Sequence, residues 1–413
     1  VPTSTLLTNA RVLSCSGGPD ERPVSADVLI EGDRIAAVGP GLTQPSARVV
    51  DLAGATVLPG LGDAHTHISW PLDFVFDHAA IAATDPAEHI LDVAAVVRTF
   101  LHSGYTTIIG AGVTQPRDDL LARDAIERGL IPGPRIVPSG PMIAAVDGLG
   151  GDGEMMDVAA DAAQLRDIVA RQCEQGVRAL KVFISGDGIV PEHPSEDVYM
   201  DDVMLSAAVD EAAKYGAFIT AHARGSKSVA MAARTGVRIV HHACFLDDEA
   251  ITELESRRDD VWVCPGLHYL HQVVTGSAQP WGMTTDRIVH AGYDREYESS
   301  LDGLRKVHAA GVRLLSGGDF GHQWTRHGSY AAELQRYVEL LDLTPVEAIH
   351  TATRHIAAAA GIEAGEVRAG LLADLLVVDG DPTQDVTVLQ QSRLRRAVVK
   401  GGEFAFVNPE CYP

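Results

Sequence analysis

The chain has 413 residues, 46% of them hydrophobic and 22% charged, with a formal net charge of −23. That length is too great for one small core and suits a large barrel with an accessory domain. The acidity argues against nucleic-acid or anionic-membrane binding, both of which need a basic face, but it does not name the small-molecule substrate that the residues below lead one to expect.

Residues 1–58 read as short strands over 6–13, 26–30, 34–38 and 48–51, rich in Val, Ile and Leu and broken by Gly, Asp and Pro. Glu31-Gly32-Asp33 is a turn between two of them. An apolar run, Ala55-Thr56-Val57-Leu58, leads into Pro59-Gly60-Leu61-Gly62-Asp63-Ala64-His65-Thr66-His67. From there strand and helix alternate. Strands over 105–109, 134–138, 179–184, 217–220, 237–240, 261–264 and 311–315 follow helices over 90–102, 117–128, 159–175, 204–215, 226–235, 248–257 and 297–310. The last fifty residues return to strands, at 373–379 and 394–399, with a turn at 400–402.

Counting the strand that carries His65, the middle of the chain reads as an α/β fold, a (β/α)8 TIM barrel over residues 59–365. A doubly wound open sheet is the alternative from pattern alone. Neither chain end has enough strands to bury a core, so residues 1–58 and 366–413 are expected to form one small β-sandwich domain together.

Five cysteines, Cys15, Cys173, Cys244, Cys264 and Cys411, are widely spread with no CxxC pair. They read as mostly reduced thiols of a cytoplasmic protein. No apolar run approaches the length of a membrane span, and the first residues show neither the basic nor the apolar region of a secretion signal.

The chemistry gathers at strand ends. Side chains alternate along a strand, so His65 and His67 share one face, about 7 Å apart along the backbone, and can converge on one metal ion. Downstream, Lys181 lies in the fourth strand, the fifth runs into His222, the sixth into His241 and His242, and the eighth into Asp319. In a barrel these positions face one common site. Lys181 sits among Leu180, Val182, Phe183 and Ile184. A buried unpaired lysine is costly, which points to a neutral, low-pKa amine at the barrel mouth. Such an amine can react with CO2 to give a carbamate whose two oxygens bridge two cations.

At these residues the chain resembles the amidohydrolase superfamily. The marks are His65-x-His67, Lys181 in a strand, Thr220-Ala221-His222-Ala223, Ile239-Val240-His241-His242 and Ser316-Gly317-Gly318-Asp319. Gly104-Tyr105-Thr106-Thr107, Gly133-Pro134-Arg135-Ile136, Leu343-Thr344-Pro345-Val346-Glu347-Ala348 and Gly370-Leu371-Leu372-Ala373-Asp374-Leu375 extend the likeness over nearly the whole chain. It looks most like the prolidase and imidazolonepropionase branch. The resemblance implies that His65, His67 and Asp319 bind one metal and that His222 and His242 bind a second. Carboxylated Lys181 and a hydroxide would bridge the two. Asp319 and His242 are the expected catalytic residues, Asp319 doubling as proton shuttle. Imidazole and carboxylate ligands make Zn2+ the first choice, with Mn2+, Co2+ or Fe2+ also fitting. A homo-oligomer is expected.

The leading function is hydrolysis of an amide-type C–N bond in an N-acyl amino acid, dipeptide, aryl amide, urea or carbamate. A deaminase, a phosphoester hydrolase and a non-catalytic metal-binding protein are the alternatives. The fifth strand lacks the Glu that deaminases of the superfamily use. Two departures bear on substrate. Many relatives have Gly-Gly-His after strand three, where residues 141–153 offer Asp147 and Asp152 but no His, and the usual Glu of strand six is His241. Trp70, Tyr199, Arg224, His241, His268, Tyr269, His322 and Trp324 are the expected substrate-side residues. Arg224 shares a strand face with His222 and could pair with a substrate carboxylate, or it could neutralise Asp187 or Glu192.

Overall fold

The computed structural model describes residues 4–73, 78–151, 156–190 and 192–409. Strands Ser4–Val12, Val24–Glu31, Arg34–Gly39, Arg48–Asp51 and Thr56–Pro59 join Leu375–Val378, Arg395–Lys400 and Glu403–Val407 in one eight-stranded sheet. The two chain ends meet where Thr56–Pro59 pairs antiparallel with Leu375–Val378. Along these central strands the side chains divide by alternation. Val57, Leu375, Val377 and Val399 join Leu7, Val28 and Ile35 in one core, whereas Leu58, Leu376, Val378 and Val398 pack into the main core of the molecule. Burial on both faces explains their unbroken apolar runs. The sheet also bends back on itself, since the Ala373 N–H donates to Asp33 O at 2.8 Å although their strands are not neighbours.

Between the two ends run eight parallel strands: Leu61–Thr66, Tyr105–Gly110, Arg135–Val137, Ala179–Phe183, Phe218–Gly225, Ile239–Phe245, Trp262–Cys264 and Arg313–Leu314. The first three pair in order, and so do the last five. Backbone bonds span the two gaps, among them Ala179 N–H to Pro138 O at 3.0 Å and Ala64 N–H to Ser316 O at 2.8 Å. Strand hydrogen bonding therefore runs once round a ring.

Several boundaries differ from the sequence reading. The fifth and sixth strands extend to Gly225 and Phe245, so His222, Arg224, His241 and His242 lie within strands. Their His- and Ala-rich ends have weak strand propensity, but the parallel ladder, with His222 opposite His241, carries them on. Short strands Ile143–Ala145 and Asp157–Ala159 extend the sheet after the third ring strand. The helix expected from 159 therefore starts at Ala162, where the Asp161 carboxylate accepts the N–H groups of Ala163 and Gln164. Helices Leu267–Val274, Thr285–Ala291, Ala332–Leu340, Pro345–Thr351 and Arg354–Ala360 were not foreseen. Cys15, Cys173, Cys244 and Cys264 are free and buried, and Cys411 lies outside the described residues. Among the described residues no helix is long and apolar enough to cross a membrane.

Candidate metal centre

The first ring strand is buried along its whole length and delivers His65 at its end, with His67 just beyond. The Asp63 carboxylate accepts the His65 N–H at 2.9 Å and fixes this turn. The chain after the eighth strand comes close because residue 317 is glycine. A Cβ there would lie 2.5 Å from Cys264 Sγ and 2.8 Å from His65 N. That approach sets Asp319 Oδ1 3.3 Å from His67 Nε2 and 3.6 Å from His65 Nε2. Asp319 and His242 hold φ of +53° and +75°. Non-glycine residues rarely adopt this left-handed backbone, and the strain concentrates at functional sites.

Lys181 enters from the fourth strand, with Nζ 3.5 Å from His65 Nε2. Burial pushes its pKa down to about 7, against the upward pull of Asp319. The His222 ring stacks on Phe183 at 4.6 Å. Its Nε2 lies 3.0 Å from Gly186 O. A carbonyl only accepts, so Nε2 carries the proton and Nδ1 keeps its lone pair. The His242 ring is 4.5 Å from His222 and 5.1 Å from His65. Burial holds His222 down at about 3 and His65 and His242 well below the ordinary range, with Arg224 adding to the effect at His222 and His242 and Lys181 at all three. All three are therefore neutral, the form that ligates metals. Burial alone would raise Asp319, but His67, His322 and Lys181 hold it below the usual carboxylate range, so it is ionised.

These donors fit a cation. His65, His67 and Asp319 offer ligand atoms all within 4.8 Å of one another, and Asp319 Oδ1 has no hydrogen-bond partner among the described residues. All six expected ligands, His65, His67, Lys181, His222, His242 and Asp319, line one cavity of about 430 Å³.

The expected substrate-side residues divide. Trp70, Arg224, Tyr269 and His322 line that cavity. Trp70 stacks on His67 at 4.0 Å. His241, His268, Trp324 and Tyr199 are not on its wall. His241 is fully buried with its ring 4.3 Å from His65, His268 packs on Phe320, and Trp324 stacks on His322. Asp147 is exposed and off the wall, and Asp152 lies outside the described residues. Arg224 is 1% exposed and pairs with Asp187 at 2.7 Å and with Glu296. The two carboxylates outweigh burial and raise its pKa further. Asp187 was one of the foreseen partners, whereas Glu192 is exposed and Glu296 was missed. A signal for Glu296 existed, because it falls on the buried face of helix Tyr293–Ala309 with Tyr293, Ser300, Leu304 and Val307. Reading the sequence also missed the apolar part of the wall, which includes Met142, Leu149, Met156, Ile189 and Val190.

The sequence signature described as the amidohydrolase family matches residues 56–405. The chain is similar to ochratoxinase of Aspergillus niger, 26% identical over 386 residues that cover 86% of this chain and 77% of that protein. It is likewise similar to imidazolonepropionase of Salinispora arenicola, 25% identical over 429 residues and the full length of both. A crystal structure of a prolidase complexed with N-methylphosphonate-L-proline shares the fold, with a TM-score of 0.87, 24% identity, and coverage of 98% of this chain and 100% of that one.

Proposed function

The chain belongs to the amidohydrolase family, and from that premise we propose that it is a binuclear metal hydrolase cleaving an amide-type C–N bond. In this reading the ring of parallel strands is a (β/α)8 barrel over residues 59–365, and the sheet from both chain ends, residues 1–58 and 366–413, is a β-sandwich domain beside it. His65, His67 and Asp319 would hold one divalent ion, and His222 and His242 the other. Lys181, brought near neutrality by burial, adds to CO2 with loss of a proton, and the resulting carbamate would bridge the pair. Zn2+ suits these ligands, as do Mn2+, Co2+ and Fe2+.

When bound, the ions supply a water that is deprotonated near neutral pH and a polarised carbonyl oxygen. Asp319, ionised at the outset, accepts the proton of the attacking water and delivers it to the leaving nitrogen. Gly186 O fixes the His222 tautomer. Trp70 holds the His67 ring flat against its own. The apolar wall suits a bulky hydrophobic acyl group or side chain. Ochratoxinase, imidazolonepropionase and prolidase, the names borne by the similar proteins, fit the same bond class.

The observation that carries this reading is that six donors, from five ring strands and the residues just after them, line a single cavity. The test is a screen of N-acyl amino acids, dipeptides, aryl amides, ureas and carbamates, before and after chelation. Turnover lost on chelation and regained with Zn2+ is expected. Turnover unchanged in protein shown to be free of metal would refute it.

A further inference from the structure

Two arginines line the cavity, and they differ in what already occupies them. Arg224 lies between Asp187 and Glu296. The Tyr293 hydroxyl donates to Asp187 at 2.8 Å, and the Ser195 hydroxyl donates to Glu296 at 3.0 Å. One guanidinium against two carboxylates leaves an excess negative charge in a buried place, so a substrate carboxylate brought there would be repelled. Lys181 is committed to the ligand cluster. Arg287 is different. It stands on helix Thr285–Ala291, is exposed at the cavity, and its guanidinium pairs with no carboxylate among the described residues. What sets it apart is its place, because the other arginine on this wall is already held by two carboxylates. The wall it shares is largely apolar, through Met142, Leu149, Met156, Ile189 and Val190.

We propose that Arg287 is the specificity residue of the cavity. It engages the free carboxylate of an N-acyl amino acid whose hydrophobic groups lie against the apolar wall. A planar guanidinium pairs with a carboxylate through two parallel hydrogen bonds, and the low polarity around it strengthens the pair. The proposal rests on the amide-hydrolase reading, and it moves the carboxylate-reading role from Arg224 to Arg287.

The test compares N-benzoylphenylalanine with its carboxamide, following benzoate release by metal-loaded wild type, Arg287→Gln and Arg287→Lys. The wild type should prefer the acid. Arg287→Gln should raise KM for the acid about tenfold while leaving kcat and the carboxamide unaffected, and Arg287→Lys should recover part of the loss. Equal changes on both compounds, or no preference in the wild type, would overturn the proposal. Cleavage of neither compound would count against this substrate class, and calorimetric binding of the same two compounds would then decide the role of Arg287 separately. Tighter binding of the acid, lost in Arg287→Gln, supports the proposal, whereas equal binding or none overturns it.

Discussion

Two buried charged groups face the same cavity, and carboxylates of the protein pair directly with one of them, whereas histidine rings surround the other. Around Arg224 each charge meets an opposite charge or a hydroxyl donor, through Asp187, Glu296, Tyr293 and Ser195. Around Asp319 the neighbours are side chains of the kind that ligate metals. The Nε2 atoms of His65 and His67 both approach Oδ1 of Asp319, and the three histidines whose pKa is lowered are neutral. The contrast separates a network held by opposite charges, although the Arg224 Nε–H has no hydrogen-bond partner among the described residues, from a cluster of metal-type donors around a carboxylate oxygen without one.

The largest effect should come from Lys181→Ala, which removes the proposed bridge. Metal content and turnover should both collapse, and short carboxylic acids should partly restore both by supplying the missing oxygens. Full metal content with undiminished turnover in this variant would remove Lys181 from the site.

Next is Asp319→Asn. It keeps the shape of the side chain but removes its charge and basicity. In protein shown to retain metal, kcat should fall about 10²–10⁴-fold with little change in KM. An unchanged kcat would take Asp319 out of proton transfer.

Arg224→Gln attacks the other half of the comparison. It leaves two buried carboxylates without their cation, an imbalance that costs about 3–5 kcal/mol in stability. The fall should appear in the urea midpoint, and acid and amide substrates should lose rate alike. An unchanged midpoint with a selective loss on acids would return the carboxylate-reading role to Arg224.

The smallest effect concerns pH. Only the neutral amine adds to CO2, and burial sets the Lys181 pKa at about 7. The neutral fraction therefore rises as pH rises through that value. At fixed dissolved CO2, reconstitution of metal-free protein with Zn2+ should run about tenfold faster at pH 8 than at pH 6. A flat profile would argue against carbamate formation at this side chain.

The ligand cluster was the legible half of the molecule. A His-x-His pair and single His, Lys and Asp residues at successive strand ends are rare enough in one chain to be noticed together. The strands were legible because Val, Ile and Leu runs between helices mark them, as at 105–110 and 179–183. The Arg224 network was half legible. Asp187 is close in sequence to the fourth strand, but Glu296 lies 72 residues from Arg224, and an acidic residue on a helix ordinarily faces water. Its place on the apolar stripe of Tyr293–Ala309 was the overlooked clue. Asp63 and Glu333 were missed for a similar reason. Each is buried and bonds to backbone N–H groups, of His65 for one and of Leu267 and His268 for the other, and no sequence period reports such contacts. Burial raises their pKa to about 8 and about 7. Capped helix starts, as at Asp161 and Asp85, were missed where the cap lay outside the apolar pattern.

Metal analysis of protein purified without chelators shows most directly whether the converging donors hold two divalent ions. The account predicts about two equivalents per chain, falling together with turnover as metal is withdrawn. A constant stoichiometry of one at full turnover would contradict it.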